Sequence, residues 1–535
     1  MKDYVKKPLN ATSFIFDKLC QFPDLIGLRV GDEKFSYRQI VEYSLKTASI
    51  LKHLGVKKEA VGLIGQRTAS SYFGILGIIF SGCHYVPINL KYNLDKQVKI
   101  IQDSNIRILV GSREDLEAFN AVLDQKSREC IDAWVIPYGK MDFNNEKWFS
   151  ETLLDNIMVL DEPEQEHISH LAYIMYTSGS TGHPKGVLVT QDNLLAWLKN
   201  MTILYSMDKE FRASQTYDLS FDLSVADIFF TFSSYGTLCV LNEKELLLPI
   251  DYITKNKIEF WSSVPTLINF MHKMGVLKPN IFPTIKKSIF CGEPMPRYLA
   301  DAWKIAAPNS TIENLYGPTE ATIWITRYVY EGLNVSERFI NNNLPVGAPL
   351  QDHEVALIDV DDNLIEDTSQ GEIIYKGPQI TLGYLNDQEK TDLQFTKFKW
   401  DQKESIWYKS GDIGFYNLNG SLECLGRKDS QIKLGGRRIE IAEVELSLRC
   451  FPLLEDLVVV PLRDKDNRVL ELIGFTMNSL SAEELRVIRL NSQGDLEAIF
   501  FPKRIYTIEK FPVSISGKLD RKKLVKIAKE FISSV

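Results

Sequence analysis

From about residue 35 to 290 the chain alternates between two apolar periods, and this alternation restricts the fold more than any other feature. SYRQIVEYSLKTASILKHLG places apolar residues at helical spacing and stops at Gly55. AVGLIG, YVPIN, RILVGS and AWVIPY are short apolar runs bounded by turn residues, which predicts strands. SSYFGILGIIFSG between them reads as a buried helix. Strands separated by helices return in the same direction, so the pattern predicts α/β layers with mostly parallel sheets. The polar, weakly periodic stretch from Tyr138 to Glu166 is expected to be a surface connection.

The rhythm changes twice. From about 344 to 425, HEVALIDV, GEIIYKG and WYKSGDIGFYNLNGSLECLG are short strands with turns, and NLNG suits a hairpin. These predict a β-rich subdomain. From about 430 to 535, strand-like DLVVVPL, LIGFTM and KRIYTI mix with helical stretches, which predicts a small α+β domain. A length of 535 residues suits more than one domain. The net charge of -8 argues against a nucleic-acid partner, because a phosphate backbone needs a basic face. The 7 cysteines are dispersed, with no CxxC or Cys/His cluster, which argues against a zinc site or disulfide framework and suits a reducing cytoplasm. MKDYVKKPLNATSFIF lacks the apolar core of a signal peptide, and YFGILGIIFSGCHYVPI reads as buried core, so no membrane association is expected.

The stretch YTSGSTGHPKGVLVT packs hydroxyls and glycines between two strand-like flanks. Successive Gly, Ser and Thr residues in a tight loop can aim backbone N–H groups at an anion, and Lys185 adds a charge. A polyphosphate is the expected guest. The pattern is not a Walker A loop, because Pro184 precedes the lysine, Gly186 follows it and a strand continues.

TSGSTGHPKG closely resembles the phosphate-loop signature of the adenylate-forming superfamily, which includes acyl-CoA synthetases, luciferases and peptide-synthetase adenylation domains. Four more stretches resemble its signatures in order, namely NLYGPTEATIW, YKSGDIG, GRKDSQIKLGGRRIEIAEVE and PVSISGKLDRKKL; with weaker matches, the series spans about 35 to 524. EAIFFPKRI stands where the family often carries an LPxYMIP-like segment. The resemblance implies a 1–428 adenylation core and a 429–535 mobile lid, with the hinge at Asp429. It implies that Thr177, Ser178, Gly179, Ser180, Thr181, Gly182 and Lys185 hold ATP phosphates, that Tyr316 offers a flat face to the purine, and that Asn314 and Gly317 also bind ATP. Asp412 would accept from the ribose hydroxyls, with Arg427 near ribose and phosphate. Thr319, Glu320 and Lys518 would be catalytic, Glu320 by holding Mg²⁺ and Lys518 by reaching the carboxylate and α-phosphate. Gly435 and Gly436 would face the site in only one orientation of the lid.

YDLSFDLSVADIFF bears on the substrate. In relatives that take α-amino acids an FD-x-S segment supplies an aspartate to the ammonium, and Asp222 occupies that place; the plain alternative is a helix cap before Ser224. The remaining pocket would be Leu223, Ala226, Ser262, Ile289, Cys291, Gly292, Leu315, Ile323 and Trp324. No second charge is expected there besides Asp222 and Lys518, so a charged substrate side chain would be buried unpaired. These residues imply ATP-dependent activation of a small neutral amino acid as its aminoacyl-AMP. Transfer in trans to the phosphopantetheine thiol of an acyl or peptidyl carrier protein would follow, since eleven residues after Leu524 leave no room for a fused carrier. FDLSVAD and IFCGE also resemble D-alanine–carrier protein ligases of cell-wall modification. An acyl- or aryl-CoA ligase is the alternative class, with coenzyme A as acceptor.

Overall fold

The computed structural model describes residues 10–139, 147–150, 158–164, 167–177, 184–332, 342–428, 431–492, 496–512 and 519–533. The predicted α/β rhythm forms two large sheets. The first has nine strands, of which Thr311–Tyr316, Lys287–Phe290, Phe260–Ser263, Arg212–Gln215, Thr237–Val240 and Ile26–Val30 run parallel through its centre. The second has seven strands, in the order Trp148–Ser150, Ala133–Ile136, Ile108–Gly111, Ala60–Ile64, His84–Ile88, Leu171–Thr177 and Lys185–Thr190. Only its last pair is antiparallel.

The central strands of the second sheet are buried along their whole length, which is why they read as unbroken apolar runs. Helix Ala69–Phe80 is buried at every position. It belongs to one apolar cluster that includes Leu28 and Leu238 of the first sheet and Val61 and Tyr85 of the second. Separate clusters cover the far faces, around Trp261 and Trp303 on one sheet and Leu109 and Trp134 on the other. Helix Tyr37–His53 starts on a capping box between Ser36 and Gln39, which satisfies two donors that the first turn leaves unpaired.

One expectation needs correction. The stretch Tyr138 to Glu166 is not all connection: Trp148–Ser150 adds a parallel edge strand, and Trp148 stacks on Trp134 at 5.3 Å. Three residues carry too little periodicity to reveal a strand.

The β-rich segment forms a five-stranded sheet whose long hairpin, Trp407–Tyr416 with Leu422–Arg427, turns at Asn417–Gly420 as the NLNG signal predicts. Its core of Leu357, Ile373, Tyr375 and Tyr408 also holds Tyr316, Ala321 and Ile325, so this sheet packs directly on the YGPTE turn. Beyond residue 431 a two-stranded and a three-stranded sheet pack with helices into two further apolar clusters, and every residue of both clusters lies at 432 or later.

Candidate active site

Described residues of several motif segments line one cleft, among them Thr177, Asp222, Thr319, Asp412 and Lys433. Leu171–Thr177 and Lys185–Thr190 form a hairpin in which Thr177 pairs with Lys185, and Thr177 lines the cleft. Ser178, Gly179, Ser180, Thr181 and Gly182 lie outside the described residues, as do Asp429 and Lys518. The segment Leu382–Leu385 bonds to Gly186 and Leu188 of the second hairpin strand. It carries Tyr384, whose hydroxyl donates to Glu320 at 2.7 Å and whose ring lies 5.7 Å from Lys185 Nζ. The loop flank and the YGPTE turn are thereby tied together.

The YGPTE turn is tight and strained. A Cβ on Gly317 would lie 2.5 Å from Trp324 Cα, so only glycine fits the close approach. Thr322 and Ile323 both have positive φ, 53° and 74°. For a β-branched residue such as Ile323 this is a true outlier, of the kind that collects at functional sites. Gln379, fully buried, holds the turn by donating from Nε2 to the carbonyls of Ala321, Thr322 and Trp324.

One lobe of the cleft is lined by Asn314, Leu315, Tyr316, Gly317, Asp412 and Arg427. The Tyr316 hydroxyl donates to Asp412, and Arg427 pairs with the other carboxylate oxygen at 3.1 Å. Asp412 is thus a fixed, buried acceptor, suited to a pair of vicinal hydroxyls. The other lobe is lined by Thr177, Asp222, Leu223, Thr319 and Ile323, and both lobes share Cys291, Gly292 and Lys433. Ala226, Ser262, Ile289 and Trp324 do not line either lobe; they are buried behind it, with Trp324 packed edge-on against Trp197 at 5.2 Å.

Asp222 dominates the second lobe. It opens the short helix Asp222–Val225, which runs into a π-helical turn at Ala226–Phe230. Phe221 occupies the cap position, so the carboxylate is not spent on capping. Its Oδ2 is buried with no hydrogen-bond partner among the described residues. Desolvation raises the Asp222 pKa from 3.8 to about 6; Thr319 and Lys433 oppose the rise and Glu320 adds to it. A buried carboxyl with an unpaired oxygen is a ready partner for a cation. Burial also pushes the Cys291 thiol up to about 12, which keeps it protonated and unsuited to nucleophilic attack.

The cleft has charges that the sequence reading passed over. Lys96, Lys433, Arg437 and Glu443 line the Asp222 lobe, with Lys96 and Glu443 paired at 3.6 Å. Arg437 lies over the Phe221 ring and pairs with Glu497. A second buried carboxyl, Asp227, sits behind the lobe and is raised well above the usual carboxylate range by desolvation. The expectation of no second charge near Asp222 is therefore too narrow. Lys433, Arg437 and Glu443 lie in the GRKDSQIKLGGRRIEIAEVE stretch around Gly435 and Gly436, and tertiary packing turns these three side chains toward the lobe.

For Mg²⁺ the candidate donor is Glu320, fully buried beside the turn. No group of three or more His, Cys, Asp and Glu able to hold a metal occurs among the described residues. Glu320 lies behind the lining of both lobes, next to Thr319, which does line one; a lone carboxylate there suits an ion that takes its other ligands from phosphate oxygens and water. Among the described residues, no helix is long and apolar enough to cross a membrane.

The family model for AMP-binding enzymes matches residues 15–385. The chain is 28% identical, over 94% of its length, to the anguibactin system regulator of Vibrio anguillarum, and spans 46% of that protein. It is equally 28% identical, over 94% of its length, to the D-alanine--D-alanyl carrier protein ligase of Bacillus cereus (strain AH187), of which it spans 96%. The adenylation domain AlmE of Vibrio cholerae, solved in complex with glycyl-adenosine-5'-phosphate, superposes with a TM-score of 0.83 at 24% identity, covering 98% of both chains. At that identity the likeness is one of fold.

Proposed function

Because the chain belongs to the AMP-binding enzyme family and is an adenylate-forming ligase, we propose that it activates a small neutral α-amino acid and passes it to the thiol of a carrier protein. Asp222 carries this reading. Its unpaired, desolvated oxygen suits a substrate ammonium, a group that fatty and aryl acids lack. Beside Asp222 the lobe is lined by Leu223, Cys291, Gly292 and Ile323, with Ala226, Ser262 and Trp324 buried behind, an arrangement that suits a short side chain. The D-alanine named in the Bacillus cereus relative is of the same size class.

The reaction has two halves. The amino acid carboxylate attacks the α-phosphorus of ATP, and the bond to pyrophosphate breaks. Asp222 orients the ammonium, Asp412 and Arg427 fix the ribose, and Thr177, Lys185 and Thr319 serve the phosphates, a role also assigned to the sequence 178–182. Lys518 neutralises charge at the α-phosphate. Mg²⁺ held by Glu320 would offset the charge of the departing phosphates. A thiol then attacks the acyl carbon and AMP leaves with the bonding electrons, while the thiol proton passes to solvent. No protein nucleophile is needed.

A residue 429–535 lid would move between the halves, hinged at Asp429. A groove lined by Asn269, Lys273, Gly435, Arg489 and Ile499 shares Leu496 with the cleft, and it offers a narrow thiol-bearing arm a way in. The carrier protein named in the Bacillus cereus relative favours that acceptor over coenzyme A.

The test is pyrophosphate exchange with glycine, L- and D-alanine, serine, cysteine, larger amino acids, fatty acids and aryl acids. Exchange only with small α-amino acids is expected. Exchange with fatty or aryl acids would reject the assignment. Thioester formation on a phosphopantetheinylated carrier and on coenzyme A then separates the two acceptors.

A further inference from the structure

Glu293 joins the segment beyond 431 to the first large sheet. It follows the cleft-lining pair Cys291 and Gly292, and Gly292 has a φ of 90°. One carboxylate oxygen of Glu293 accepts from Thr266 N at 2.9 Å. Thr266 is the second residue of helix Pro265–Lys273, and since Pro265 has no N–H, its amide is the first the helix offers. The negative charge at this helix start is favourably placed. The other oxygen accepts from Gly436 N at 2.6 Å.

Gly436 is built for this contact. Its φ is 77°, and a Cβ would lie 2.5 Å from Val264 Cγ1. The Gly435–Gly436 turn joins strands Gln431–Leu434 and Arg437–Glu440, which deliver Lys433 and Arg437 into the cleft. The Glu293 bond is therefore the clamp on the turn that carries both cations.

We propose that Glu293 is a positioning residue for thiol transfer: it docks the Gly435–Gly436 turn against the cleft and has no part in forming the adenylate. This rests on the two-step reading above. The chemistry of the contact is directional, since a carboxylate accepts from both amides whereas a glutamine accepts from one and presents a donor to the other.

Two measurements on the full chain test it. Hydrogen–deuterium exchange over residues 431–440 needs no substrate, and Glu293→Ala should speed it at least tenfold; unchanged exchange overturns the docking role. Pyrophosphate exchange and thioester formation are then compared. Glu293→Ala should keep pyrophosphate exchange within twofold and lose at least tenfold in thioester formation, with Glu293→Gln between the two. Equal loss in both half-reactions, or none in the second, overturns the assignment to thiol transfer. If wild-type chain exchanges pyrophosphate with no amino acid, the functional reading fails, and the deuterium result still decides the docking.

Discussion

Asp222 combines a functional need with a stability cost. Replacing it by Asn should lower kcat/KM for the amino acid by about 2–5 kcal/mol, roughly 30-fold or more, in steady-state assays. The same change should stabilise the ligand-free chain. Its carboxyl titrates at about 6 when folded, against 3.8 for an ordinary aspartate, so the folded state disfavours the charged form. That penalty is absent below pH 4, grows through pH 4–6 and is complete above, where Asn should add about 1–3 kcal/mol in denaturant melts. The proposed binding follows the opposite need, because a substrate ammonium would require the ionised carboxylate. With ATP saturating, kcat/KM for the amino acid should fall tenfold per pH unit below about 6, and Asp222→Asn should flatten that limb.

The YGPTE turn shows how a strained element is held. Thr322 and Ile323 sit at positive φ because Gln379 gathers three carbonyls around them. Gln379→Leu removes the donor and leaves buried carbonyls unpaired, so it should cost about 2–4 kcal/mol by urea unfolding and raise KM for ATP as the turn relaxes. The sequence marks the turn itself, since Gly, Pro and Thr at fixed spacing state their local geometry. Gln379 is silent there: it lies in GEIIYKGPQITLGYLN, and its importance exists only once a distant backbone is folded over it. The same distinction runs through the molecule. The central strands of the seven-stranded sheet are legible because burial on both faces writes itself as apolar runs, whereas Arg212–Gln215 and Phe260–Ser263 of the other sheet carry buried polar residues and no such run. Strand Trp148–Ser150 is too short to write anything, and Lys433, Arg437 and Glu443 reach the cleft through packing between separate sheets.

At the scale of the whole chain, the segment beyond 431 has its own apolar clusters yet meets the rest through polar contacts, among them Lys96 with Glu443, Asn343 with Asp466 and Arg468 with Tyr298. Polar contacts of this kind exchange readily with water, which suits the swing proposed for this segment. Asp429→Pro should therefore slow thioester formation at least tenfold while pyrophosphate exchange is kept, as read by the two assays side by side. The walls of the Asp222 lobe carry one more consequence. Lys433, Gly436, Arg437, Ile439 and Leu496 all come from beyond 431, so a product held against Asp222 has part of its exit covered by a separately packed piece of chain. Without an acceptor the enzyme should act as a reservoir: pyrophosphate appears in a burst matching the amount of protein, then continues only as fast as the stored anhydride leaks into water.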